Sequence, residues 1–75
     1  MNDWQCRAAR LYLKLTRKEL GQKAGLSEPT IVNIELGKES VASSTVEKAE
    51  KYFLSQGIKF DSGDEYFCIQ VPAPK

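Results

Sequence analysis

The chain has 75 residues and a net charge of +1, which bounds it to one domain with a modest core that burial against a partner would help. With 41% hydrophobic and 28% charged residues it reads as globular, not disordered or fibrous. Histidine is absent, which excludes the usual zinc patterns, and the widely spaced Cys6 and Cys68 read as two buried, reduced thiols. No apolar run approaches membrane-spanning length and no signal peptide is visible, so the expectation is a cytoplasmic protein with no membrane contact.

The first helix is predicted over residues 4–14 with Asp3 as N-cap. Cys6, Ala9 and Leu13 form one apolar stripe; Trp4, Ala8, Leu11, Tyr12 and Leu15 form a second. The wide arc predicts a helix touching several neighbours, with Trp4 and Tyr12 in the core. Thr16-Arg17-Lys18-Glu19 is a capping box that opens a second helix running to Ala24, and Gly25 ends it in the left-handed conformation. Ser27 caps a third helix over residues 28–36, where Pro29 is tolerated because first-turn amides lack intrahelical partners. Gly37 closes that helix. Ser43 or Ser44 caps a fourth, Ser44 with Glu47 forming a second box, and Val46, Ala49, Tyr52 and Phe53 recur at helical spacing until Gly57.

The period then changes. Ile58-Lys59-Phe60 alternates, residues 61–64 carry turn chemistry, and residues 65–71 are rich in β-formers, which predicts a hairpin. Pro72 and Pro74 end the ordered chain. The expected organisation is therefore a mainly α unit of four helices over residues 1–57, a β-hairpin over residues 58–71 that serves dimerisation, and a flexible tail over residues 72–75.

Charge is unevenly spread. Residues 5–40 hold seven basic and four acidic side chains, a net +3, whereas residues 41–75 carry a net −1. A basic half backed by a slightly acidic one suits a nucleic-acid face, although two ordinary solvated surfaces give the same count. Lys14, Lys18 and Lys23 read as solvated.

Two short helices joined by a glycine-containing turn make a helix-turn-helix over residues 16–37. Gly21 stands inside a helix, at a cost of about 1 kcal/mol relative to alanine, and close crossing of the second and third helices accounts for it. Leu20, Ala24, Leu26, Ile31 and Ile34 face inward. The third helix is left with an outer face of Glu28, Val32 and Leu36 on one row and Pro29 and Asn33 on the next. A helix fits the major groove of duplex DNA, where base edges differ in donors and acceptors. Asn33 can pair with adenine, Pro29 and Val32 can touch thymine methyls, Glu28 can accept from cytosine N4, and Thr30 suits a phosphate. Each has a plainer reading as well: Asn33 as a solvated residue, Val32 as core edge, and Glu28 as an acid favoured at any helix N-terminus.

Residues 16–37, TRKELGQKAGLSEPTIVNIELG, resemble the helix-turn-helix of the Cro/cI-type (XRE) repressors of phages and bacteria. The pattern agrees at Leu20, Gly21, Ala24, Gly25, Leu26, Ser27, Thr30, Ile31, Ile34, Glu35 and Gly37, and the resemblance extends over residues 6–55. It implies a lambda-repressor-like bundle with base contacts at Glu28, Pro29, Val32 and Asn33. Phosphate contacts are implied at Thr16, Arg17, Ser27, Thr30 and Lys38. It also implies an Arg10–Glu35 ion pair, for which the sequence supplies a reason of its own: an inward arginine needs a partner, and a glutamate at a helix C-terminus opposes the dipole.

The expected function is sequence-specific binding of a palindromic operator in double-stranded DNA by a homodimeric repressor that regulates its own operon. A chain this short has no room for an effector domain, so occupancy blocks polymerase, in a bacterial or phage-infected cell. Many relatives complete the core and dimer with a fifth helix, whereas this chain turns to a hairpin. Its Phe67, Ile69 and Val71 row is either core or dimer face, and residues 58–71 are expected to hold the dimer. An antitoxin with a protein partner, and a protein-interaction module that no longer binds DNA, are the alternatives. No catalytic residue, metal site or cofactor is expected.

Overall fold

The structure is a computed structural model that describes residues 1–73. Pro74 and Lys75, half of the tail expected over residues 72–75, lie outside the described residues. Four helices precede a two-stranded antiparallel hairpin: α1 (Asp3–Tyr12), α2 (Arg17–Ala24), α3 (Glu28–Glu35), α4 (Ser43–Ser55), β1 (Lys59–Ser62) and β2 (Phe67–Gln70).

Local chemistry sets most of the boundaries. Thr16 accepts from Glu19 N–H while the Glu19 carboxylate accepts from Thr16 N–H, so both ends of the box are closed at 3.0 Å. Gly25 ends α2 at φ 73°, and Ser27 caps α3 by accepting from Thr30 N–H. α1 begins one residue earlier than its sequence suggests. Asn2, not Asp3, is the cap, paired reciprocally with Gln5. The helix also stops earlier, at Tyr12, because Lys14 turns left-handed at φ 58° and lets Leu15 N–H reach Arg10 O.

Neither Ser43 nor Ser44 caps α4. Ala42 holds the cap position without a side-chain bond, and its carbonyl takes Thr45 and Val46 N–H. Val41 packs against the core just before it, and burying that side chain outweighs the ~1 kcal/mol a serine cap contributes.

The core joins Cys6 and Ala9 of α1, Leu20 of α2, Ile31 and Ile34 of α3, Ala49 and Phe53 of α4, and Ile58. Phe53 meets the edge of Phe60 at 5.9 Å. Phe60 and Ile69 are register partners on the inner face of the hairpin. Their burial fixes the strand pairing, so Asp61 and Ser62 belong to β1 and the reversal is made by residues 63–66, later than the turn composition at 61–64 implies. Gln5 ties the hairpin to α1: its buried amide donates to Asp61 O at 2.8 Å and Cys68 O at 2.9 Å. Gly57, at φ 82°, closes α4 and has the Pro72 ring against it.

Three expectations are corrected. The second apolar stripe of α1 faces solvent at Trp4, Ala8, Leu11 and Tyr12, because the hairpin covers only the Gln5 side of that helix. Cys6 is buried but Cys68 is exposed. Gly21 is required by the turn and not by α3: a Cβ there would lie 2.5 Å from Leu26 O, and Gly21 O accepts from Leu26 N–H at 2.7 Å.

Candidate nucleic-acid interface

α2 and α3 pack against each other across the Gly25–Leu26–Ser27 turn, with Leu20, Ile31 and Ile34 facing the core. This leaves an outer face on α3. Glu28, Pro29 and Leu36 are exposed; Val32 and Asn33 are half-buried. Leu36 is 60% exposed and continues the Glu28–Val32 row. A single exposed leucine is ordinary on a protein surface, so its place on that row, and not its exposure, is what sets it beside the outer-face residues. Thr30 and Asn33 line a shallow hollow of about 290 Å³ with Ser40, Val41, Ala42 and Thr45. Asn33 thus stands at the rim between α3 and the following loop rather than fully outward.

Hydroxyls border this face. Thr16 Oγ1 accepts from Glu19 N–H at the exposed start of α2. Ser27 Oγ and Thr30 Oγ1 are 2.7 Å apart, one donating to the other, which leaves one proton free. Exposed Lys38 follows α3, its N–H bonded to Asn33 O at 3.1 Å. The Glu19 carboxyl is held below the usual carboxylate range, first by the Thr16 N–H it accepts from and then by the Thr16 side chain.

The junction of the first three helices is an ionic cluster. Glu35 is buried and accepts from Arg10 Nε at 2.7 Å and Arg10 Nη2 at 3.1 Å. Arg10 Nη1 donates to Leu15 O at 3.0 Å. Arg17 Nε reaches the same carboxylate at 3.1 Å, a contact the sequence analysis did not foresee, and its side chain stays 43% exposed. Arg7 Nη2 donates to Glu35 O at 3.3 Å at the C-terminus of α3, while its Nε lies 3.9 Å from the carboxylate, buried without a hydrogen-bond partner among the described residues. The Arg7 guanidinium rests 5.1 Å from the centre of the Trp4 ring. Two of these arginines offset the unfavourable dipole at Glu35. Beside them, burial pushes the Cys6 thiol up to about 12, with the Glu35 charge adding to the effect.

The Phe67, Ile69 and Val71 row is split: Ile69 packs on the core, and the other two are exposed. Among the described residues no group of three or more histidine, cysteine or acidic side chains is gathered as a metal site, and no helix is long and apolar enough to cross a membrane.

A family model described as helix-turn-helix matches residues 7–53, which runs from the second turn of α1 into α4 and leaves out the hairpin. No curated protein matches the chain.

Proposed function

Since the chain belongs to the Cro/cI-type (XRE) helix-turn-helix family of DNA-binding regulators, we propose that it is a homodimeric repressor that reads a palindromic operator with α3. The observation that carries this reading is the uncovered outer face of α3, flanked by hydroxyl and cationic donors at Thr16, Arg17 and Lys38. α3 enters the major groove. Pro29, Val32 and Leu36 touch thymine methyls, Asn33 pairs with adenine, and Glu28 accepts from cytosine N4. Thr16, Arg17, Ser27, Thr30 and Lys38 hold phosphates and fix the register. Residues 58–71 join two copies, which sets the two recognition helices about one helical turn (~34 Å) apart on the site. Occupancy of the operator excludes polymerase, in a bacterial cell or one infected by phage.

Selection of bound duplexes from a random pool tests the reading. A palindromic consensus is the expected result. Asn33→Ala should then relax one base pair in each half-site and weaken the preferred duplex by about 1–3 kcal/mol. Recovery of no consensus, with equal affinity for all duplexes at low salt, would overturn it.

A further inference from the structure

A second basic surface lies away from α3. The end of α2 and the C-terminal half of α4 enclose an open hollow of about 470 Å³, lined by Lys23, Lys48 and Lys51 together with half-buried Ala24 and Tyr52. All three lysines are exposed, and none pairs with a carboxylate among the described residues. Two acids of the same helices are engaged elsewhere: Glu19 accepts from Thr16 N–H, and Glu50 from the Met1 amino group. The lysines do not belong to the recognition face. Thr16 and Arg17 open α2, whereas Lys23 lies about 10 Å further along that helix. Thr45 borders the hollow beside α3, and Lys48 and Lys51 stand about 5 and 9 Å beyond it along α4. The hollow therefore stays open when α3 meets a groove.

The chemistry of the hollow favours an acidic polypeptide over a compact anion. α2 ends there, and the negative end of its dipole opposes a phosphate. Gly21 O takes the N–H groups of Gly25 and Leu26, while the carbonyls of Gln22, Lys23 and Ala24 accept no backbone N–H among the described residues. A peptide carries both the carboxylates that suit the lysines and the N–H donors that suit these carbonyls. This chain holds such a segment. Asp61, Asp64 and Glu65 are exposed, and no basic residue occurs between Lys59 and Lys75. Gly63 N–H donates to Tyr66 O at 2.8 Å, so Asp64 and Glu65 stand at the free end of the hairpin, beyond its strands. The Tyr66 ring packs over Gly63, where a Cβ would overlap it. Gln5 fixes the root through Asp61 O and Cys68 O. The tip is thus held in shape before a partner arrives, which lessens the ordering that binding would cost. It belongs to the part of the fold packed on α1, and none of its residues lines the hollow of its own chain.

We propose that the hollow between α2 and α4 receives the acidic hairpin tip of a second copy of this chain, with Asp64 and Glu65 set among Lys23, Lys48 and Lys51. The two surfaces are unlike, and each copy carries one of each, so the contact runs head to tail. Exposed ion pairs are weak one by one. The contact therefore serves copies already held near one another, as on neighbouring sites of one duplex, and not free chains at low concentration. That consequence rests on the DNA-binding reading above; the contact itself does not.

Carbodiimide joins a lysine to a carboxylate only in direct contact, and it tests the proposal on the full chain. Equal parts of ordinary and isotope-labelled protein are cross-linked at submillimolar concentration and low ionic strength, where screening is weak, and digested for mass spectrometry. Peptides that join Lys48 or Lys51 of one copy to Asp64 or Glu65 of another are expected. They should exceed those from exposed Lys14 by about tenfold, the combined strength of three exposed ion pairs. Lys48→Glu with Lys51→Glu should lose them, as should Asp64→Lys with Glu65→Lys. An equal mixture of these two double variants should regain them, because each supplies the surface that the other lacks. On a duplex with two selected sites, the parent should fill the second about tenfold more tightly at the best spacing, and each double variant should fill the two independently. Cross-links spread evenly over the exposed lysines, or kept in both double variants, overturn the contact. Capture of an added oligoglutamate peptide by the hollow, without any link between copies, gives the hollow to a foreign acidic chain and overturns the second copy. A chain that shows the expected links yet binds no duplex overturns the operator reading and leaves this contact standing.

Discussion

Replacing Glu35 by glutamine keeps the shape of the side chain and removes its charge. Arg10 is the residue that suffers. Its side chain is only 9% exposed, and two of its three hydrogen bonds end on that carboxylate, at 2.7 and 3.1 Å. The amide retains one acceptor oxygen, and Leu15 O retains the bond at 3.0 Å. The guanidinium charge is nevertheless left buried, with Arg7 and Arg17 close by and no anion between them. Breaking a buried pair from one side costs about 3–5 kcal/mol, and the retained neutral bonds place this case near 3 kcal/mol. A domain of this length has about 4–11 kcal/mol in total, so the variant should melt about 12–24 °C lower. Urea titration followed by circular dichroism measures the difference. Arg17→Gln, whose side chain is nearly half exposed, should cost only about 0–1 kcal/mol by the same assay. Replacing both partners, Arg10→Met with Glu35→Leu, should recover most of the loss, because the desolvation of two charges is removed together. A Glu35→Gln variant within about 1 kcal/mol of the parent would refute the argument that this carboxylate compensates a buried cation.

Further predictions follow from particular contacts. Gly21→Ala should lose about 1–2 kcal/mol despite a helix-propensity gain of about 1 kcal/mol, because the new Cβ meets the fixed carbonyl of Leu26; an equally stable variant would show that the turn yields. Arg17→Ala and Lys38→Ala should each weaken binding to all duplexes alike and flatten log affinity against log salt by roughly one unit; unchanged slopes would remove both from the interface. Arg17→Lys should keep that slope yet still weaken binding, since one ammonium cannot hold Glu35 and a phosphate as a planar fork can; parent-like affinity would refute the tethering of Arg17. The depressed Glu19 carboxyl means that the unfolded chain takes up its proton first as pH falls. The α2 cap therefore contributes fully above the ordinary glutamate range, about 4.3, and fades as pH falls through the lower native value. Glu19→Gln should flatten that acid limb of the stability curve, and an unaltered limb would deny the carboxylate its part.

Where structure is decided within a few residues, it was legible in advance. The Thr16 box, Gly25, Ser27 and Pro29 bound α2 and α3 where the chain itself supplies caps and stops. The departures arise where distant packing competes with local chemistry. Val41 burial moves the start of α4 past two serines, and the Phe60–Ile69 contact moves the hairpin reversal beyond the residues that look most like a turn. Periodicity shows which side chains share a face of α1 but not whether a neighbour covers it, so Trp4 and Tyr12 read as core and stand exposed. Gln5 carries no motif for its second task, because its acceptors, Asp61 O and Cys68 O, are more than fifty residues away. For the candidate interface, the outer face of α3 could be drawn from spacing alone. The attachment of Arg17 to Glu35 could not, since nothing in the sequence says that three arginines converge on one carboxylate.

That convergence bears on how a chain with a net charge of only +1 can present an attractive surface to DNA. Three guanidiniums against one carboxylate leave the junction with an excess of two positive charges. Arg10 is spent inside, where its bonds to Glu35 and Leu15 O hold α1 to α3 and to the start of α2. The excess therefore resides on Arg7 and Arg17, the two members with solvent access. Arg17 donates to Glu35 through Nε alone, so its two terminal nitrogens keep their donors for an outside anion. Its position at the first residue of α2 adds the positive end of that helix dipole. A cation fixed this way loses less side-chain freedom on meeting a phosphate than a free surface arginine does, for which that loss is about 0.5–1.5 kcal/mol. On the proposed reading, one carboxylate thus does two jobs through geometry: it neutralises the arginine that the fold must bury, and it aims the arginine that the duplex will meet.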